Sequence, residues 1–253
     1  MIPTFKLSTA ELAAGIDEII KTTGKGALQV VLEEGKLLEE DLVKMTPPFG
    51  SAPSTESYNA QRKIGENAVE RDVKRVFHVI DLDKIHSPRL RDRLRTLAQN
   101  RDLEGIKEAL KGAKIPVEDV VRDASEELHQ KYQNARGRVA KPKWIWLAND
   151  KSLGSFIKKV KAHVGRAKAG WAAGAQALGA RIPNWITRHG TSGGNFELDR
   201  DPNEPKITLR NNVPYIQATG ADLQIVDRAL RNRVRNIRAK LEKIARSGWK
   251  KKT

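Results

Sequence analysis

The chain has 253 residues, of which 39% are hydrophobic and 31% charged, with a formal net charge of +16 and no cysteine. The missing cysteines exclude disulfides and thiolate metal sites, and the low apolar content favours long amphipathic helices over one thick core. The first residues lack the zones of a signal peptide, and no apolar run approaches the roughly 20 residues of a membrane span. We therefore expect a soluble protein that is not exported by a standard signal.

The positive charge is concentrated in the second half. Residues 131–191 carry 13 cations and 1 anion, and residues 221–253 carry 11 cations and 3 anions, whereas residues 1–60 carry 5 cations and 9 anions. Such a field attracts nucleic acid, an acidic protein surface or an acidic membrane. Nucleic acid and an acidic protein surface are equally favoured as partners, and both are favoured over a membrane. The alternative without a partner is a set of solvated helix faces.

The first half is predicted to be helical. Apolar residues recur near the 3.6-residue period over 8–45, with a break at TTGKG (22–26). The next stretch, 46–57, contains three prolines and is predicted to be an exposed loop and a linker. Further helical segments are predicted at 58–80, at 89–112 (one helix or a pair) and at 117–135.

The second half mixes strands with helices. Aromatic and β-branched residues alternate in KWIWLA (143–148), which predicts a strand buried on both faces. A helix capped by Asp150 or Ser152 is predicted to begin near Leu153 and to end at Leu178. The remaining predicted elements are a loop with a helical turn near Trp185 (180–195), a hairpin (195–199 with 206–211) and a terminal helix (221–246).

The terminal helix has two predicted faces. Its apolar residues are spaced three and four apart, which is typical of a packing seam. Opposite the seam, four arginines lie close to one stripe and could meet phosphates, although the solvated back of an assembly helix is the favoured interpretation. The seam consists of Leu223, Val226, Leu230, Val234, Ile237, Leu241 and Ile244, and the stripe of Arg228, Arg231, Arg235 and Arg238.

The sequence contains no motif that predicts catalysis. No two of the five histidines are spaced as a helical metal pair, and GTSGGN (190–195) precedes a predicted strand rather than a phosphate-binding helix. His189 beside Arg188 is interpreted as a surface histidine rather than a general base. The carboxylate pairs Glu33/Glu34, Glu39/Glu40 and Glu126/Glu127 are interpreted as solvated surface. We therefore predict no catalytic, cofactor-binding or metal-binding residue, and no enzyme.

The stretch VGRAKAGWAAGAQALG (164–179) combines four glycines with a tryptophan. Glycine costs about 1 kcal/mol relative to alanine in a helix, so these glycines are interpreted as sites where another backbone approaches closely. On a helix, one face carries Trp171, which we expect to pack on the sheet of Trp144 and Trp146. A separate basic face is predicted for Lys158, Lys161 and Lys168.

Four segments resemble structural proteins of tailed bacteriophages, in particular the phage minor tail-component family. That family comprises neck or tail-completion proteins, which form rings where the tail tube joins the head connector. The resemblance covers about half the chain, mostly residues 44–77 and 143–246. Its segments are KMTPPFGS (44–51), GENAVERDVKRVF (65–77), KAHVGRAKAGWAAGAQALGARIPNWITRHG (161–190) and ITLRNNVPYI (207–216).

The resemblance implies an α+β fold in which long helices pack on a small antiparallel sheet, with a long C-terminal helix. This sequence departs from the family by a predicted helical insertion at 81–140. The resemblance also implies a homo-oligomeric ring, most often six-fold, with portal-side and tail-tube-side phage proteins as neighbours and DNA passing through the lumen. The predicted divisions are 1–80, 81–140 (the insertion) and 141–253. We expect a virion protein made in the host cytoplasm, without a cofactor. The alternatives are a basic nucleic-acid-binding protein and, more remotely, a hydrolase or toxin using His189.

Overall fold

The computed structural model describes residues 10–134, 137–148, 150–201, 204–214, 216 and 221–250. The chain divides into two compact units, of which the first combines residues 1–65 with 164–253 and the second comprises residues 66–163. The second unit is therefore inserted into the first. The predicted insertion, 81–140, lies inside the second unit, which extends beyond it at both ends.

Helices dominate both units. The strands are β1 (Phe77–Val79), β2 (Asp119–Val121), β3 (Ile145–Leu147), β4 (Gly194–Asp199) and β5 (Lys206–Asn211). The helices are α1 (Ala10–Thr23), α2 (Ala27–Met45), α3 (Tyr58–Val76), α4 (Pro88–Gln99), α5 (Leu103–Gly112), α6 (Glu126–Lys131), α7 (Asp150–Lys161), α8 (Arg166–Ala169), α9 (Ala172–Ala177), α10 (Asn184–Thr187) and α11 (Ala221–Lys250).

In the first unit, α11 packs along α1 and α2. The predicted break after α1 is confirmed: Gly24 adopts a φ of +67°, a left-handed conformation that ends the helix. The predicted set of core-facing residues on α11 is wrong, because the buried residues lie on a stripe next to the predicted seam. That stripe consists of Ile225, Ala229, Arg233 and Ile237. Of the predicted seam only Ile237 is fully buried, Leu223 has a side chain outside the described part, and the others are half-buried.

The buried stripe of α11 includes a charged residue. Arg233 Nε lies 3.2 Å from Glu34 Oε2, and Lys240 Nζ lies 3.0 Å from Glu34 Oε1. Asn232 Nδ2 donates to Asp41 Oδ1 at 2.8 Å. Charged residues therefore occupy part of the contact between α2 and α11, which hides this face from a search for apolar periodicity.

The predicted hairpin is confirmed. Strands β4 and β5 pair antiparallel in the register Gly194↔Asn211 to Asp199↔Lys206. Helix α9 packs against β4. The single helix predicted from Leu153 to Leu178 is wrong, because Gly165 at φ +100° separates α7 from two short helices, α8 and α9. The turn predicted near Trp185 is confirmed as α10.

The second unit contains a three-stranded parallel sheet in the order β1-β3-β2. The helix predicted at 58–80 ends at Val76, and the residues that follow form β1. The polar helix predicted at 117–135 is instead strand β2 followed by the short helix α6. Helices α4 and α5 confirm the helical pair. The fold class is therefore α+β, as predicted, with a parallel sheet added to the antiparallel hairpin.

Strand β3 lies at the centre of this sheet, between two clusters. Ile145 and Leu147 are buried on one face with Phe77 and Phe156, whereas Trp146 is half-buried on the other face, against a cluster that includes Val120. The predicted alternation is confirmed, but only the Ile145 and Leu147 face is fully buried. Trp144, which precedes the strand, is 37% exposed.

The first and last helical segments of the second unit are joined by an ion pair. Lys161 Nζ lies 2.5 Å from Glu70 Oε2, and Lys74 Nζ lies 2.5 Å from Glu70 Oε1. The chain therefore enters and leaves this unit at neighbouring points. Across the described ranges of both units, no helix combines the length and apolar character that crossing a membrane requires.

Candidate functional site

A fully buried lysine lies beneath the proline-bearing loop of the first unit. Lys168, in α8, is 0% exposed. Its Nζ donates to Val43 O at 2.7 Å, to Gln61 Oε1 at 3.0 Å and to the carbonyl oxygen of Thr46. A fourth acceptor, Lys44 O, lies at 3.4 Å, and the three hydrogens of the ammonium group match the three nearer acceptors. The prediction that Lys168 shares a basic helix face with Lys158 and Lys161 is wrong for Lys168, which is buried.

Trp171 and Gln61 complete this Lys168 cluster, which we define as Thr46, Gln61, Lys168 and Trp171. Trp171 Nε1 donates to Thr46 Oγ1 at 2.8 Å, and Gln61 Nε2 donates to Pro53 O at 3.1 Å. Trp171 thus packs on the loop, and its predicted packing on the sheet of Trp144 and Trp146 is wrong. The cluster holds both ends of the loop.

The loop between Met45 and Tyr58 is ordered by its own contacts as well. The Glu56 carboxylate accepts hydrogen bonds from Gly50 N at 2.7 Å and from Ala52 N at 3.1 Å. The predicted loop at 46–57 is confirmed, and Ala52 is exposed while Thr46 is fully buried. The linker interpretation is wrong, because the residues on both sides of the loop belong to the first unit.

Burial dominates the electrostatics of Lys168. All acceptors of its ammonium are uncharged, and desolvation lowers the pKa of Lys168 to about 7, against a small opposing influence of Glu56. The uncharged form is therefore accessible near neutral pH. The packing of the loop and the protonation of this lysine are consequently linked.

Three of the four segments that resemble the phage family meet at this cluster, and only the first residue of the second segment, Gly65, belongs to the same unit. Asn211 Nδ2, from the fourth segment, donates to Ala167 O in the third at 3.0 Å. Gly65, the first residue of the second segment, lies against Pro48 and Val164. Segments separated by more than a hundred residues in the chain therefore share one site.

The glycines near the cluster allow this close packing. A Cβ on Gly170 would collide with the side chain of Asn211, and a Cβ on Gly194 would collide with the carbonyl of Gly170. The interpretation of Gly170 as a close-packing site is confirmed, with the β4–β5 hairpin as its neighbour.

Glu39 is a second buried charged residue near the cluster. It is 0% exposed, and Gly174 packs against its carboxyl group. Burial raises the pKa of Glu39 to about 8, an effect that the amide of Ala175 partly offsets. The prediction that Glu34 and Glu39 are solvated is wrong, whereas Glu33 and Glu126 are surface residues paired with Lys25 and Lys159.

Replacing Glu39 with glutamine is expected to change how stability depends on pH. Because the folded state holds the proton up to a pKa of about 8 and the unfolded state only to the ordinary pKa of 4.5, wild-type stability falls as pH rises between these values. The glutamine variant lacks this fall, so its advantage should grow to about 2–4 kcal/mol above pH 8. Melting temperatures measured from pH 4.5 to 9 check this.

The matched control for this experiment is Glu18→Gln, which changes an exposed carboxylate of α1 in the same unit. Its melting temperature should run parallel to the wild type across the same pH range. Parallel curves for Glu39→Gln and the wild type would contradict the assignment of a raised pKa to this carboxyl group.

The other residues singled out in the sequence lie apart from one another. His189 Nε2 lies 3.0 Å from Val164 O, and Arg188 Nη2 donates to the same oxygen at 3.5 Å, so both contact the backbone. All four arginines of the predicted stripe on α11 are exposed. Over the described ranges, no group of three or more His, Asp and Glu side chains could hold a metal ion.

A shallow depression of about 600 Å³ lies in the second unit, beyond the carboxyl end of β2. Its wall combines Ser125, Ser152, Ser155 and Phe156 with two acidic and two basic side chains. One acid and one base form a pair, since Lys159 Nζ lies 3.5 Å from Glu126 Oε2. The balanced charge selects neither an anion nor a cation.

No family model, curated protein or solved structure matches this chain. Lys168 and Gln61 were not singled out as site residues from the sequence. The one local signal for Lys168 is its position among alanines in RAKAGW, because small apolar neighbours indicate a buried helix face. Gln61 sits in a polar stretch, and its burial depends on contacts with residues distant in the chain.

Proposed function

We propose that this protein is a structural component of a tailed-bacteriophage virion that forms a ring at the head–tail junction and acts by assembly. The observation that supports this proposal is the meeting of three of the four resembling segments, 44–51, 161–190 and 207–216, at the Lys168 cluster. If the segments resembled the family by chance, nothing would require them to be neighbours in space.

The geometry of the loop supports an assembly role. Lys168 and Gln61 hold its base, and Glu56 holds its tip, so the exposed residues Ser51 and Ala52 are presented in a fixed arrangement. A preorganised loop loses little conformational entropy when a neighbouring subunit covers it. Burying a lysine costs desolvation free energy. The fixed conformation of the loop is a functional reason for keeping this lysine buried.

The charge distribution of the chain supports a head-to-tail contact between copies. Residues 1–60 carry an excess of anions and residues 131–191 an excess of cations, whereas several cations of α11 pair with Glu11, Glu34 and Asp41 of the same subunit. Complementary patches on one subunit steer association and set its register, and a heterologous contact closes into a ring when its rotation permits. A ring held in this way should weaken as salt is raised.

Light scattering coupled to size-exclusion chromatography tests the proposal, together with mass spectrometry of purified virions. We expect a closed oligomer that dissociates at high salt, and the protein itself in the particles. Ala52→Arg, on the exposed loop, should abolish the oligomer without changing the melting temperature. Ala113→Arg, on an exposed residue of the second unit, is the matched control and should leave the oligomer intact.

A protein that stays monomeric at about 100 µM and is missing from purified particles would refute the proposal. Nucleic-acid binding, the alternative predicted from the charge, is supported by a different set of residues in the second unit.

A further inference from the structure

Basic and aromatic side chains meet at the amino-terminal edge of the parallel sheet in the second unit. They come from the end of α3, from β1, from the end of α6 and from the residues just before β3. We call this set the basic aromatic patch, and it consists of Arg75, His78, Lys131, Tyr132, Lys143 and Trp144.

Contacts between neighbouring residues connect the members of the patch. Lys143 N donates to Arg75 O at 2.6 Å, and the His78 ring lies 2.7 Å from Lys143 O through Nε2. Lys143 Nζ lies 5.2 Å from the centre of the Tyr132 ring, and Lys131 Nζ lies 5.7 Å from it. The patch is therefore one surface rather than a set of separate cations.

The indole of Trp144 lies flat within this surface. Its ring centre is 4.4 Å from that of His78, with 22° between the planes, and the residue is 37% exposed. His78 covers one face of the indole. A flat, supported ring offers a face for stacking, whereas a side chain that inserts into a membrane must project from the surface.

Cations outnumber acidic residues at this surface. Residues 131–148 include five lysines and arginines and no aspartate or glutamate. One acidic residue lies beside the patch, since Glu118 Oε1 is 3.4 Å from Lys143 Nζ and Glu118 N donates to Trp144 O at 2.7 Å. Arg75, Lys131 and Lys141, which lies two residues before Lys143, are exposed, and Arg75 Nη1 donates to Val139 O at 2.9 Å. A polyanion can therefore reach these three cations from solvent.

We propose that the basic aromatic patch binds single-stranded nucleic acid, with a base stacked on Trp144 and the flanking phosphates on the lysines and Arg75. Cations alone would suit any polyanion, including an acidic peptide. The supported indole favours single-stranded nucleic acid over other polyanions, because stacking on an aromatic side chain needs an unpaired base. The inference concerns the second unit and does not depend on the proposed assembly role.

Fluorescence anisotropy of a labelled 20-nucleotide oligothymidylate with the full-length protein tests this inference at about 50 mM salt. We expect saturable binding that weakens steeply as salt is raised, because bound phosphates release counterions. Trp144→Ala should weaken binding about tenfold, and Trp144→Phe, which retains an aromatic face, should restore most of it. Lys141→Gln should weaken binding and reduce the salt dependence.

The matched control is Lys111→Gln, which removes an exposed charge from α5 in the same unit and should leave affinity nearly unchanged. Melting temperatures of all variants establish that they are folded. The inference is overturned if the oligonucleotide does not bind at 50 mM salt, or if Trp144→Ala binds as tightly as wild type. It is also overturned if duplex DNA or polyglutamate binds as tightly as the single strand.

Discussion

Replacing Lys168 with methionine is expected to destabilise the first unit by about 3 kcal/mol. Methionine keeps most of the apolar stem but removes the three donors, so Val43 O, Thr46 O and Gln61 Oε1 stay buried without a partner. An unsatisfied buried acceptor costs about 1–3 kcal/mol. Relief from burying the ammonium offsets part of this loss. Urea unfolding followed by tryptophan fluorescence measures the difference.

Arg166→Met is the matched control, because it removes an exposed cation two residues away on the same short helix. Its effect should stay within about 0.5 kcal/mol. Limited proteolysis adds a second readout, since the methionine variant should be cut within 46–57 faster than the wild type. Equal stability and equal cleavage in Lys168→Met and Arg166→Met would show that the lysine does not anchor the loop.

Lys168→Met is also expected to change how the stability of the protein depends on pH. The folded state holds the Lys168 proton only up to a pKa of about 7, whereas the unfolded state holds it to the ordinary pKa of 10.5. Wild-type stability therefore gains from this residue as pH rises between those values. Lys168→Met lacks that gain, so the gap between the two proteins should widen from pH 7 to pH 10.

Replacing Gly194 with alanine is expected to destabilise the first unit by about 3 kcal/mol or more. The new Cβ would collide with the carbonyl of Gly170 and approach Arg210 O to 3.0 Å. Both oxygens belong to the backbone and cannot rotate away as a side chain can. The β4–β5 hairpin must therefore move away from residues 164–179. Thermal and urea unfolding measure the loss.

Gly26→Ala provides the comparison, because no atom lies within 4 Å of the Cβ that it would add. Gly26 precedes α2 in an extended conformation open to alanine, so the cost should stay below about 1 kcal/mol. If Gly194→Ala costs no more than Gly26→Ala, the hairpin does not need the close approach at Gly170.

Local patterns predicted the elements that depend on local signals. The break at Gly24, the pair α4–α5 and the β4–β5 hairpin each have a glycine, a turn or a clear period at the right place. In the parallel sheet only β3 has such a signal, the alternation in 143–148, because β1 and β2 are three residues long and each pairs with a distant segment. Strand β1 follows α3 directly, and its apolar residues fit the helical period, so the sequence pattern assigns them to the helix predicted at 58–80.

The buried charged residues could not be read from the same patterns. Glu34, Glu39 and Lys168 are charged residue types, which a search for apolar periodicity does not count as core. Their burial depends on tertiary partners: Lys168 bonds a carbonyl 125 residues away in the chain, and Glu34 meets Lys240 across 206 residues. The ring, its phage neighbours and its place in the virion stay predictions that the chromatography and virion experiments will decide.

The ion pair between Glu70 and Lys161 has a consequence for the entropy of folding. Since both ends of the inserted unit meet there, residues 66–163 form a cassette with adjacent borders. Helix α3 (Tyr58–Val76) crosses the first border, so it contributes residues to both units. Because the two borders lie close together, the entropic cost of closing the first unit across the inserted residues is small.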